Sequence, residues 1–284
     1  MVPYHEQVTD LIRRRRSWRS YLERPLSPGQ IGQINRFIES MDPPPFGTNL
    51  RFGLVDAHLP EKKRMPGTYG IIKGARHILV GAMTSSPMDF EDFGYSFESI
   101  ILFCTELGLG TCWMGGTFNR TLFGLLIGLK DGETIPAVSP VGEPASSRSL
   151  LDSLFVLSAG SKSRKPFPEL FFSRDFSTPM SEPQAGEYAQ ALEMVRLAPS
   201  AANKQPWRIV AAGDSFHFFL ARSTAYRKIF PEADLQRIDM GIAMFHFESA
   251  ARASGLAGSW QRMDASHGIC LPRNVEYRIS WVAA

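Results

Sequence analysis

Two short strings in this 284-residue chain each occur twice, in the same order and at nearly the same separation. Pro45-Phe46-Gly47-Thr48-Asn49 shares the Pro-x-x-x-Asn spacing of Pro199-Ser200-Ala201-Ala202-Asn203, with 154 residues between Asn49 and Asn203. Gly108-Leu109-Gly110-Thr111-Cys112-Trp113 returns as Gly255-Leu256-Ala257-Gly258-Ser259-Trp260, 147 residues later. The pattern predicts a tandem duplication in which two similar halves pack as a built-in dimer. Such a pair can hold a ligand in its seam and keep one of two sites intact.

The periodicity supplies the elements. Val8, Leu11 and Ile12 predict a first helix that runs into Arg13 to Arg16, where positive charge suits the negative end of the helix dipole. Ser27-Pro28-Gly29-Gln30 has the form of a capping box, and Ile31, Ile34, Phe37, Ile38 and Met41 follow at helical steps. Strands are expected over Leu50 to Val55 and His77 to Gly81, then a helix through Phe97 to Leu107 capped by Gly108. A buried strand through Trp113, a helix near Thr121 to Ile127 and a strand near Ile135 to Val141 complete a first half, 1–157. The Ser-, Lys- and Pro-rich stretch 158–183 is expected as the crossover, and 184–284 as a second, shorter half. That half opens with a helix near Gln184 to Leu197. A hairpin turning at Gly213-Asp214 follows, then a long helix near Leu235 to Ser254 and strands near Gly258 to Arg262 and Tyr277 to Val282. Helices and hairpins without strict βαβ alternation predict an α+β fold with largely antiparallel sheets wrapped by helices.

Composition excludes several classes. A net charge of +3 is too small to imply nucleic acid or an anionic membrane. Cys104, Cys112 and Cys270 form no CxxC pair, and the six histidines no paired-ligand spacing, so no metal is expected. With no signal-like start and no run of about 18 apolar residues, the expected location is the cytoplasm.

Four segments could carry chemistry. Arg15-Arg16-Ser17-Trp18-Arg19 concentrates guanidinium groups around a hydroxyl, which suits a terminal phosphate but equally a solvated helix end. Ala198 to Trp207 sets Ser200, Asn203 and Gln205 between two stiffening prolines, able to face a polar heterocycle or merely to satisfy their own turn. Gly115-Gly116 ends a strand where backbone N–H groups can approach a flat ligand, or where the chain simply turns. Gly142 precedes Arg148 by six residues. No Rossmann, P-loop or nucleophile-elbow motif is present, and Cys112 sits in an apolar strand as a buried thiol.

Together, Arg15-Arg16-Ser17-x-Arg19, Leu107-Gly108-Leu109-Gly110, the Gly142/Arg148 segment and Ala198-Pro199-Ser200-x-x-Asn203-x-Gln205-Pro206-Trp207 resemble the nitroreductase family of FMN-dependent oxidoreductases. The arrangement is similar to the single-chain, double-length branch, a fused pair. The resemblance implies that Arg15, Arg16, Ser17, Arg19 and Arg148 hold the FMN phosphate. Pro199, Ser200, Ala201 and Asn203 would line the ribityl chain and ring, and backbone N–H of Gly115 or Gly116 would face flavin N5. Tyr69 and Lys73 are further candidates to reach the flavin. It implies hydride transfer from NADH or NADPH to a small flat acceptor such as a nitroaromatic or quinone, with no catalytic side chain needed. The alternative it leaves is a flavin-binding or flavin-storage protein with little turnover. Since the first half keeps the Arg/Ser motif and the second the Pro-Ser-Asn loop, one FMN per monomeric chain is expected.

Overall fold

The structure is a computed structural model, and it describes residues 4–57, 68, 72–116, 118–145, 163–223, 232–263 and 268–284. In chain order the first part comprises α1 (Val8–Arg14), α2 (Pro28–Glu39), β1 (Leu50–Asp56), β2 (His77–Thr84), α3 (Asp89–Glu106), β3 (Gly110–Thr111), α4 (Arg120–Ile127), β4 (Glu133–Thr134) and β5 (Val138–Gly142). Then come α5 (Phe167–Leu170), β6 (Phe171–Ser173), a 3-10 segment over Glu182–Tyr188 and α6 (Ala189–Leu197). A 3-10 turn over Ala201–Asn203 leads to β7 (Trp207–Ala212), β8 (Ser215–Ala221), α7 (Leu235–Ala253), β9 (Gly258–Gln261) and β10 (Val275–Ala283).

The fold is α+β, as expected, and its two sheets share a strand order. The first runs β1-β2-β5-β3 with β4 joined to β2, and the second β6-β7-β8-β10-β9. In each, a hairpin pair is followed by the last strand and then by the strand that leaves the long helix. All these pairings are antiparallel except β6 with β7, where Phe171 pairs with Ile209 in parallel register.

Both long helices lie between the sheets. Apolar and small residues occur nearly all round α3, and Phe93, Phe97, Ile100, Ile101 and Cys104 are fully buried, as befits a central helix. The two helices cross at glycines. A Cβ at Gly94 would lie 2.2 Å from the Ile238 carbonyl oxygen, and one at Gly241 2.0 Å from that of Glu91. Only glycine permits so close an approach of two backbones. One continuous apolar core spans the crossing, from Leu11 and Phe97 to Phe247 and Trp281.

Several expected boundaries move. The strand through Trp113 shrinks to Gly110–Thr111 because Cys112 N–H donates to Ser139 Oγ (3.0 Å) instead of to a strand backbone. The expected strand from Ile135 begins at Val138, after Pro136, which has no N–H to give. The expected helix from Gln184 is interrupted at Gly186 (φ 57°, ψ −133°), so α6 starts at Ala189. The described part of the 158–183 crossover is no bare connection: it contributes α5 and β6, the latter an edge strand of the second sheet.

Candidate functional site

The segment after α1 is held in extended form along the first sheet. Trp18 N–H donates to Thr111 O (2.8 Å), Ser17 pairs with Thr111, and Lys73 N–H donates to Arg19 O (2.9 Å). Gly110 is required here, because a Cβ would meet Trp18 Cγ at 2.9 Å. Arg16 is exposed and turns Nη1 onto the carbonyls of Arg13 (2.6 Å) and Arg15 (2.8 Å), closing the end of α1.

Arg15 points the other way, into the interior. Its Nε stands 3.7 Å from Glu98 Oε1 with no hydrogen-bond partner, and burial lowers its pKa from the usual guanidinium value against the pull of Glu98. Glu98 itself is wholly buried on α3. It accepts from Trp113 Nε1 (2.7 Å) and meets His246 Nε2 on α7 at 3.0 Å, while His246 Nδ1 faces Met194 O at 2.9 Å. This cluster joins the end of α1 to α3, α6 and α7.

The Pro199-to-Asn203 loop has an unusual backbone. Ala202, Asn203 and Gln205 all have positive φ (47°, 53° and 48°), a concentration of left-handed backbone at non-glycine residues. Each such residue costs of order 1 kcal/mol or more unless its surroundings impose it. The surroundings do. Gln205 N–H donates to Ser200 Oγ (2.9 Å) and Ala201 N–H to Asp239 Oδ1 (2.9 Å). Asn203 Nδ2 donates to Ser163 O (3.0 Å), and Lys165 N–H to Gln205 Oε1 (2.8 Å). Arg164 donates from Nη1 to Asn203 Oδ1 (3.3 Å) and from Nη2 to Leu197 O (3.2 Å). Residues 163–165 thus strap the loop in place.

Arg164 also tests the electrostatics. Burial, followed by the like charges of Arg15, Arg196 and Arg16, pulls its pKa down from the usual guanidinium value to about 10. The charges of Arg15 and Arg16, at the end of α1, thus reach Arg164 beside the Pro199-to-Asn203 loop.

Gly115 packs against the start of α7. A Cβ there would meet Leu235 Cδ2 at 2.3 Å, and its carbonyl accepts from Arg120 Nη2 (2.8 Å). Leu235 begins α7 and Asp239 lies one turn later, so the glycine strand and the loop meet the same helix. Gly116 is half-buried, and Lys73 lies beside the 19–21 backbone. Arg148 and Tyr69 fall outside the described residues. The residues that sequence reasoning missed are Arg164 and Asp239. The first stood in the Ser-, Lys- and Pro-rich stretch expected as the crossover, and the second was one acidic residue within a helix.

The echo loop is built differently. Asp92 accepts from both Phe46 N–H (3.0 Å) and Thr48 N–H (2.9 Å), and Thr48 Oγ1 meets Ser86 Oγ at 2.8 Å. The loop is closed on its own polar groups. Among the described residues there is no cluster of metal-ligating side chains, and no helix is long and apolar enough to cross a membrane.

A family model described as "Putative TM nitroreductase" matches residues 7–251. The chain belongs to the nitroreductase family. A solved structure described as a "putative nitroreductase" from Thermotoga maritima covers 99% of this chain and 95% of its own, with 19% identity and a TM-score of 0.62. It shares the fold of this nitroreductase-family chain. An FMN-dependent nitroreductase from Clostridium difficile R20291 covers 49% of the chain and 88% of its own, at 19% identity and a TM-score of 0.40. A mutant of an FMN and NADPH-dependent nitroreductase from Sphigopyxis sp. strain HMH covers 52% and 97%, at 16% identity and a TM-score of 0.38. No curated protein sequence matches the chain.

Proposed function

We propose that this nitroreductase-family chain is an FMN-dependent oxidoreductase that passes hydride from NAD(P)H to a small flat acceptor, such as a nitroaromatic or a quinone. A single FMN would lie in the seam between residues 15–19 and the 199–203 loop. The observation that carries this reading is the strained Pro199-to-Asn203 loop strapped by Arg164, whose half-buried guanidinium feels the like charges of Arg15, Arg196 and Arg16. A phosphate monoester would offset that concentration of positive charge with two negative charges, and its oxygens suit the guanidinium fork.

Bound FMN would supply the redox chemistry, carrying a hydride between the two substrates. The chain's own part is binding, orientation and exclusion of water. Arg15, Arg16, Ser17 and Arg19 would take the phosphate, joined by Arg148. Pro199, Ser200, Ala201 and Asn203 would take the ribityl chain and ring, with backbone N–H of Gly115 or Gly116 facing flavin N5. Lys73, held beside the 19–21 backbone, and Tyr69 are further candidates at the flavin.

We further propose that the chain is a fused pair working as a cytoplasmic monomer. The shared strand order of the two sheets supports it. So does the reciprocal helix crossing, in which Gly94 and Gly241, like Glu91 and Ile238, are separated by 147 residues. The 147-residue sequence echo has the same spacing. The test is the absorbance spectrum of the purified protein reconstituted with FMN, followed by anaerobic titration with NADH and NADPH. Bound flavin bleached by a nicotinamide is the expected result, and a protein that takes up no FMN overturns the reading. Light scattering that gives an obligate dimer overturns the monomer.

A further inference from the structure

Asp92 and Asp239 each hold a loop, and they are not equivalent. Near the start of α3, Asp92 uses Oδ1 for Phe46 N–H and Oδ2 for Thr48 N–H. Near the start of α7, 147 residues on, Asp239 uses Oδ1 for Ala201 N–H, while its Oδ2 is buried and has no hydrogen-bond partner. Asp239 is 3% exposed. Leu235, one turn earlier on the same helix face, is packed on Gly115. One turn of α7 thus touches the Pro199-to-Asn203 loop through Asp239 and Gly115 through Leu235.

We propose that Asp239 is a ligand-binding residue of the seam site, its Oδ2–H donating a hydrogen bond to an acceptor in the ring or ribityl part of the flavin; this rests on the FMN reading above. Burial pushes the Asp239 carboxyl well above the usual carboxylate range, the Ala201 N–H opposes this, and Asp234 adds to it. An acid that keeps its proton and offers Oδ1 to Ala201 carries that proton on Oδ2. A buried donor without an acceptor is costly, and the ligand is the missing partner. Both oxygens of Asp92, by contrast, already accept a backbone N–H.

Other charged groups around α7 are engaged. Asp234 pairs with Arg222, Glu91 with Arg237 and Arg278, and Glu98 with His246. On the packed elements, Glu193 of α6 pairs with Arg196, Arg15 after α1 faces Glu98, Arg208 of β7 donates to the Gln205 and Trp207 carbonyls, and His217 of β8 meets Ser280. Lys204 and Arg164 belong to the loop and its strap. All of these remain in an Asp239→Asn variant, which is the control for their titration.

The experiment measures dissociation constants of FMN and of riboflavin by flavin-fluorescence quenching across pH, for the parent, Asp239→Asn and Asp239→Ala. Asp239→Ala should weaken both flavins alike, by about tenfold or more. Asp239→Asn should bind near parental strength, because its amide both accepts and donates. The neutral acid is the binding form, so parental affinity should fall as pH rises through the Asp239 titration, whereas Asp239→Asn lacks that fall. A parental profile that matches Asp239→Asn overturns the proposal, as does riboflavin binding indifferent to Asp239→Ala. Should Asp239→Ala fail to fold, the two pH profiles decide. A parent that binds flavin with a matching profile sinks only this inference, while one that binds no flavin at any pH sinks the FMN reading with it.

Discussion

Gly241→Ala is the most direct challenge to the helix crossing at the centre of the molecule. The added Cβ would sit 2.0 Å from the Glu91 carbonyl oxygen and 2.8 Å from the Glu91 carbonyl carbon and the Tyr95 nitrogen. Carbon and oxygen tolerate about 3.3 Å at closest, so α3 and α7 must part by more than an ångström there. All three obstructing atoms are backbone, and none can rotate away. A gap of about 0.5–1 Å already forfeits a quarter to a half of each van der Waals contact, and Phe93, Phe97, Ile238, Ile242 and Phe245 flank the crossing. Overpacking of this kind costs about 3 kcal/mol, while alanine regains about 1 kcal/mol of helix propensity. The net loss is about 2 kcal/mol, a fall in Tm of about 4–8 °C for a chain this size. Thermal and urea unfolding of flavin-free protein measures it. Gly29→Ala in α2 is the control, since its Cβ meets nothing nearer than Ser27 Oγ at 3.8 Å and should cost nothing. A Gly241→Ala protein that melts with or above the parent would refute the crossing.

Three further outcomes are expected. Arg19→Ala should weaken FMN by about tenfold or more, through loss of a charge-assisted bond to phosphate, and leave riboflavin unchanged; equal losses in equilibrium binding would assign Arg19 to folding instead. Flavin titration should end at one FMN per chain, weakened by Asn203→Gly, which keeps the left-handed backbone free, and indifferent to Asn49→Ala; two equivalent flavins would defeat it. Glu91→Gln strips the buried carboxylate from Arg237 and Arg278 and should cost about 3–5 kcal/mol in urea unfolding, so a loss under about 1 kcal/mol would show that the two guanidinium groups find other partners.

What could be read from the sequence was whatever local chemistry decides. The Ser27 capping box forms, with Gln30 N–H on Ser27 Oγ at 3.2 Å and Ser27 N–H on Gln30 Oε1 at 2.9 Å. Gly108 and Gly255 end their helices at φ 72° and 79°, and the second hairpin turns at Gly213. What could not be read depends on distant residues. β6 is three residues long and exists only because β7 lies beside it, so no periodicity announces it. Arg164 looked like one cation in a basic run, and only burial against the loop gives it a role. Gly94 and Gly241 were visible as glycines within helical patterns, at the spacing of the second echo.

The glycine crossing also limits how the protein can move. With backbone against backbone at two reciprocal points, α3 and α7 have no layer of side chains on which to slide or roll, and the motion left to them is a swing about that point, as with scissors. The Pro45 and Pro199 loops are fastened near the starts of these two blades, through Asp92 and Asp239. A change of angle that loosens one loop must shift the other. Amides at the pivot should accordingly be among the slowest in the chain to exchange with solvent, and flavin arriving at one end should alter exchange in the loop at the other.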